Sequence, residues 1–218
     1  MTYGLVIFDC DGVIVDTETT ALTVHQMMVE KKVPMEEPDI FIEKYRGKKI
    51  ASIVESVSVS HYVEFPKNFI EKFRERSLKA FEDDITAIDG IEDVLKALKV
   101  PFCIGSNSPL KLIEACLSMT GLLHYFQGRI FSAYELQHWK PDPFLFQFAA
   151  NTMGVLPEKC IVIEDSPCGV QAAQAANMFT LGYAALGIDG KIDPRSQVLE
   201  KEGAVVISDM REVLAYLL

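Results

Sequence analysis

Two carboxylates spaced by one residue, Asp9 and Asp11, close a short apolar run, Leu5-Val6-Ile7-Phe8, and Gly12 follows them. In extended chain, side chains two apart point to the same side, so both carboxylates converge on one small volume. Like charges that close are costly unless a cation or a shared proton relieves them. A hard divalent cation with oxygen ligands meets that need, and Mg²⁺ commonly takes one or two protein carboxylates plus substrate phosphate. Taken alone, the same residues also read as a polar turn, since Asp and Gly are ordinary turn residues. Three further clusters bear on the choice. Ser106-Asn107-Ser108 follows Phe102-Cys103-Ile104-Gly105, Glu164-Asp165-Ser166 follows Cys160-Ile161-Val162-Ile163, and Lys140 precedes Pro141-Asp142-Pro143.

Something must bring these clusters together. Apolar runs of four residues are too short for helices and read as buried parallel strands. Further strand candidates lie at 129–132, 179–183 and 204–207, with helical stretches near 91–98, 109–120, 144–149, 167–177 and 209–217. This alternation predicts right-handed crossovers and a parallel sheet with helices on both faces. In such a sheet the carboxyl ends of the strands share one edge, where ligands bind. Segment 16–86 differs: helix-like stretches near 17–32, 38–45, 48–58 and 67–82, broken at Pro34, Pro38, Gly47 and Pro66. The expected architecture is therefore α/β. A Rossmann-like core spans 1–15 and 87–218, and a small all-helical cap, 16–86, is inserted after the first strand. Ser108 and Ser166 read as helix N-caps, and the irregular stretch 185–203 reads as a surface connection.

Such a set of residues suits phosphoryl transfer. Acidic positions can hold one Mg²⁺, one carboxylate can attack phosphorus, and a hydroxyl, an amide and an ammonium can share the phosphate oxygens. In order and composition, the four clusters resemble the four motifs of the haloacid dehalogenase-like hydrolase superfamily. The helical insert resembles that superfamily's small cap. The resemblance implies Asp9 as nucleophile and Mg²⁺ ligand. It implies Asp11 as acid and base, touching the metal through its main-chain carbonyl. Ser106 and Asn107 would bind phosphate, and Lys140 would offset charge on nucleophile and phosphate. Asp165 would ligate Mg²⁺, with Glu164 a direct or water-mediated ligand. The superfamily's dehalogenases lack the second aspartate, so Asp11 favours phosphate chemistry.

The stretch from His124-Tyr125-Phe126 through Ile130-Phe131-Ser132 to Pro143 resembles bacterial phosphatases acting on sugar phosphates, 6-phosphogluconate phosphatases among them. The expected function is Mg²⁺-dependent hydrolysis of a small phosphorylated metabolite, a sugar phosphate or sugar-acid phosphate, through an aspartyl phosphate. One alternative is a β-phosphoglucomutase-like isomerase. Its relatives carry a hinge-helix histidine at a position that, by spacing from Asp9, falls near Ala21 here, and His25 lies one helical turn further on. The other alternative is a binding protein on the same fold without turnover. In the cap, Arg46-Gly47-Lys48-Lys49 is the compact basic cluster, and Arg46 and Lys49 would reach a second anionic group on the substrate.

The chain has 218 residues and a net charge of −10, which argues against nucleic acid or an anionic membrane as partner because both need clustered cations. The five cysteines, Cys10, Cys103, Cys116, Cys160 and Cys168, show no CxxC spacing and read as free thiols in a reducing compartment. With no long apolar segment, the expectation is a cytoplasmic protein, a monomer or homodimer.

Overall fold

The computed structural model describes residues 3–33, 41, 50–186 and 193–217. The chain divides into two compact units, one formed by Met1–Val15 with Ala87–Leu218 and the other by Asp16–Thr86. Paired two-residue strands, β2 (Val15–Asp16) and β3 (Thr86–Ala87), carry the chain out of the first unit and back.

The first unit is a six-stranded sheet. Its strands are β1 (Leu5–Phe8), β4 (Phe102–Ser106), β5 (Ile130–Ser132), β6 (Cys160–Glu164), β7 (Phe179–Tyr183) and β8 (Val205–Ile207), in the order β5-β4-β1-β6-β7-β8. Every pairing is parallel. Strands β1, β4 and β6 are buried at every residue, as a sheet covered on both faces requires. Leu5, Ile7, Cys103, Cys160 and Val162 pack with Phe146, Ala149 and Ala150 of the helix Phe144–Thr152 and with Ala172 and Ala173 of the helix Pro167–Ala175. The alanines let these helices lie close to the sheet. Register places the central ends level: Phe8 pairs with Ile104 and with Ile163, and the Asp9 N–H extends the ladder to the Ile163 carbonyl at 2.9 Å.

Two expectations need correction. The last element, Met210–Tyr216, is a 3-10 helix, and its Asp209 and Glu212 form a reciprocal cap. The stretch 185–203 contains the helix Arg195–Lys201, whose Leu199 is buried against Val170, Ala184 and Ala204. The charged sequence of that helix hides an anchor of one apolar residue.

The second unit contains the helices Glu18–Val29, Ile50–His61 and Phe69–Asp84. Leu22, Met28, Val29, Ile53, Val57, Phe69 and Phe73 form its core. The expected helix near 38–45 and the basic cluster with Arg46 and Lys49 lie outside the described residues. His25 is fully buried in this core. Its ring centroid lies 5.6 Å from Phe41 and 5.8 Å from both Phe69 and Phe73, and neither ring nitrogen has a hydrogen-bond partner.

Burial in this apolar nest pulls the His25 pKa down to about 4. The unfolded chain takes up a proton near pH 6.5, and the folded chain does so only near 4. Stability is therefore intact above the unfolded value and is lost as pH falls from 6.5 toward 4, by about 2–3 kcal/mol. In urea titrations at pH 7.5 and 4.5, His25→Leu should lose less stability on acidification than the wild type, by about 2 kcal/mol. Equal acid losses in the two proteins would show that His25 finds a partner for its proton.

Candidate active site

Asp9 and Asp11 follow β1, Ser106 ends β4, and Glu164 ends β6, so the polar clusters lie on one edge of three adjacent strands. Chain geometry sharpens this at Gly12. Its φ of +80° suits glycine, and a Cβ there would stand 2.2 Å from Asp165 Oδ2. The turn it permits is closed by hydrogen bonds from Gly12 N to the Val15 carbonyl at 2.8 Å and from Ile14 N to the Cys10 carbonyl at 2.9 Å. Gly12 thus turns the chain and makes room for a carboxylate from β6's end.

Lys140 arrives from the loop before the helix Phe144–Thr152, next to a cis Lys140–Pro141 bond. It is 2% exposed, which rules out a solvent lysine. Its Nζ donates to Asp9 Oδ1 at 2.5 Å and to Glu164 Oε1 at 2.6 Å. Burial pulls the Lys140 pKa down, but attraction from Asp9 and Glu164 outweighs it, and the ammonium is held charged. Burial pushes the Asp9 carboxyl up, with Glu164 and Asp11 adding to the rise and Lys140 opposing it. A cation placed beside Asp9 would favour its ionised form.

Glu164 is fully buried. While Oε1 takes Lys140, Oε2 accepts from Asp165 N at 3.0 Å, Ser166 N at 3.0 Å and Ser166 Oγ at 2.8 Å. Ser166 also caps its helix by accepting from Gly169 N. Asn107 Oδ1 accepts from the Lys140 N–H at 2.9 Å, which ties the lysine loop to β4's end. Ser106 is buried and its Oγ accepts from Ser108 N at 3.1 Å.

Ser108 does not cap a helix, because the helix Leu110–Met119 starts from Pro109. Its Oγ instead donates to Asp11 Oδ2 at 2.6 Å, and its carbonyl accepts from Ser132 Oγ at 2.7 Å. Arg195 is a site residue that no motif in the sequence singles out. Its Nη1 donates to Asp165 Oδ2 at 3.1 Å. Residue type alone offered no signal for either contact, since serine before a proline and arginine on a charged helix have commoner uses.

Carboxylate oxygens of Asp9, Glu164 and Asp165 lie within 4.8 Å of one another. An all-oxygen set of this size fits a hard divalent cation. The Asp11 side chain is not in that group. Among the described residues, Asp9, Asp11, Glu164 and Asp165 stand against Lys140 and Arg195, whose guanidinium Asp193 also shares, so the site retains negative charge.

The sequence model of the haloacid dehalogenase-like hydrolases matches residues 6–183. The chain belongs to this family. It is 33% identical over 181 residues to the 6-phosphogluconate phosphatase of Escherichia coli, covering 83% of this chain and 82% of that one. It is 29% identical over 178 residues to the E. coli fructose-1-phosphate phosphatase, covering 81% and 94%. Among solved structures, a conserved haloacid dehalogenase-like protein from Agrobacterium tumefaciens superposes with a TM-score of 0.86 at 31% identity, covering 98% of this chain and 96% of that chain. The protein is an enzyme of the phosphoric monoester hydrolase class within this family. Among the described residues no helix is long and apolar enough to cross a membrane.

Proposed function

We propose that the chain hydrolyses a sugar phosphate or sugar-acid phosphate, such as 6-phosphogluconate, with Mg²⁺ as cofactor and an aspartyl phosphate on Asp9 as intermediate. The buried Lys140 clamped between Asp9 and Glu164 carries this reading. An ammonium there is costly to bury without carboxylate partners, and it neutralises charge where an attacked phosphate would sit. In the first step a carboxylate oxygen of Asp9 forms a bond to phosphorus as the ester oxygen leaves, and Asp11 gives that oxygen a proton. In the second step Asp11 removes a proton from the water that displaces phosphate from Asp9. Ser108 holds the Asp11 carboxylate by a 2.6 Å hydrogen bond. Ser106 and Asn107 bind phosphate oxygens, and Lys140 fixes one oxygen of the nucleophile. Asp9 and Asp165, with the Asp11 main-chain carbonyl, would hold Mg²⁺. When bound, the ion neutralises charge on the transferring phosphoryl group. Glu164, with both oxygens accepting hydrogen bonds, supports Lys140 and would act on a metal through water.

The helical unit 16–86 acts in this proposal as a substrate-reading cap, with Arg46 and Lys49 meeting a carboxylate at the far end of a sugar acid. The relatives' activities support the substrate class. The mutase alternative finds less support: the hinge-histidine position of that branch falls near Ala21, and His25 is enclosed by phenylalanines.

Phosphate release across a panel of phosphorylated sugars and sugar acids, with Mg²⁺ and with chelator, tests the reading. Release is expected to depend on Mg²⁺, to fall to background with chelator, and to favour acids over neutral sugars. Arg46→Ala and Lys49→Ala should raise KM for the acids. Equal rates with and without metal would overturn the cofactor assignment, and phosphate moved between positions without net release would restore the mutase.

A further inference from the structure

Arg195 belongs to none of the four motifs, yet it touches one of the residues assigned to the metal. Its guanidinium is held at both ends. Nε and Nη2 donate to Asp193 Oδ2 at 3.0 and 2.9 Å, and Nη1 donates to Asp165 Oδ2 at 3.1 Å. Asp193 is itself fixed: its Oδ1 accepts from the Arg195 N–H at 2.8 Å, and its own N–H donates to the Ala185 carbonyl at 3.2 Å, just past β7. The helix that Arg195 begins is pinned by the buried Leu199. The Asp165 oxygen that Arg195 grips also stands against Gly12, with no room for a side chain there.

We propose that Arg195 is a positioning residue of the metal site, which orients the Asp165 carboxylate toward the cation through the chain Asp193–Arg195–Asp165; this rests on the assignment of Asp165 as a metal ligand. Two opposite effects have to be weighed. A guanidinium beside a ligand repels a divalent cation, which weakens binding. Holding the carboxylate plane removes an ordering cost at binding, which strengthens it. Asp193, paired with the same guanidinium through two nitrogens, offsets most of its charge, so orientation dominates. Partners that orient a metal's ligands are worth about 10–100-fold in metal affinity.

The test is Mn²⁺ binding to the substrate-free protein by isothermal titration calorimetry, with Mg²⁺ competition. Arg195→Met keeps the aliphatic stem and removes the donors. It should weaken Mn²⁺ binding by about 10–100-fold, and Arg195→Lys should recover only part, since a point charge lacks the fork that spans two carboxylates. Asp193→Asn, which leaves the guanidinium in place but loosens its far end, should weaken binding by a smaller factor. Unchanged or tighter binding in Arg195→Met overturns the proposal. Should that variant fail to fold, as shown by its circular dichroism, unchanged or tighter binding in Asp193→Asn does the same. A wild type that binds no Mn²⁺ overturns the metal assignment itself and the inference with it.

Discussion

Asp9→Asn should lower the rate of phosphate release by about 10⁴-fold or more, the scale on which removing a covalent nucleophile acts, and leave the fold intact. The substitution keeps shape and one acceptor oxygen, so the contact with Lys140 survives in neutral form. Lys140 keeps Glu164 at 2.6 Å, and no buried cation is stranded. Asp9→Ala lacks that safeguard, because one side of a buried ammonium would lose its partner, a change that costs about 3–5 kcal/mol when a buried pair is broken. The asparagine variant therefore separates chemistry from folding. Acid-quenched wild type mixed with substrate should carry covalent phosphate, and the variant should carry none. A variant that retains a tenth of the activity, or that still traps phosphate, would move the nucleophile elsewhere.

How much of this site was legible depends on what fixed each residue. Asp9, Ser106 and Glu164 were placed by a rule of topology: parallel strands end on one edge, and β4, β1 and β6 are neighbours. The helices Glu18–Val29, Ile50–His61 and Phe69–Asp84 were legible from their apolar spacing and from breakers such as Pro66. Partner choice was not, because it depends on register and loop path, which periodicity does not set. Ser108 faces Asp11 only because the turn after β4 brings its hydroxyl across. Arg195 reaches Asp165 only because Asp193, hydrogen-bonded to the Ala185 carbonyl, holds its guanidinium. In the sequence His25 stands out only as lying one helical turn beyond Ala21. Its enclosure by Phe41, Phe69 and Phe73 needed segments far along the chain. Glu164 was legible as acidic, but its saturation by three donors and a lysine was not.

Gly169→Ala reads from sequence as a helix-stabilising change, since alanine in a helix interior is favoured over glycine by about 1 kcal/mol. The opposite is expected here. Gly169 lies in the helix Pro167–Ala175, and a Cβ on it would stand 1.8 Å from Glu164 Oε1 and 1.9 Å from its carboxyl carbon. A flexible side chain could step aside, but this one is fixed at both oxygens. Moving it breaks the part-buried hydrogen bonds to Asp165 N and Ser166 N and the buried pair with Lys140. Destabilisation should reach about 3–5 kcal/mol, the cost of breaking a buried ion pair. Lys140 would lose the anchor that holds it against Asp9, and kcat should fall by about 10²–10³-fold, the scale of losing one fixed charge-stabilising donor. Urea unfolding and phosphate release measured on one preparation separate the two effects, because the folded fraction that remains still reports its own rate. Gln171→Ala, on the same helix, is the control and should leave both nearly unchanged. A Gly169→Ala protein as stable and as active as the wild type would mean that Glu164 has a second seat. Its assignment as the support of Lys140 would then fall, and its carboxylate would return to the candidates for direct contact with the metal.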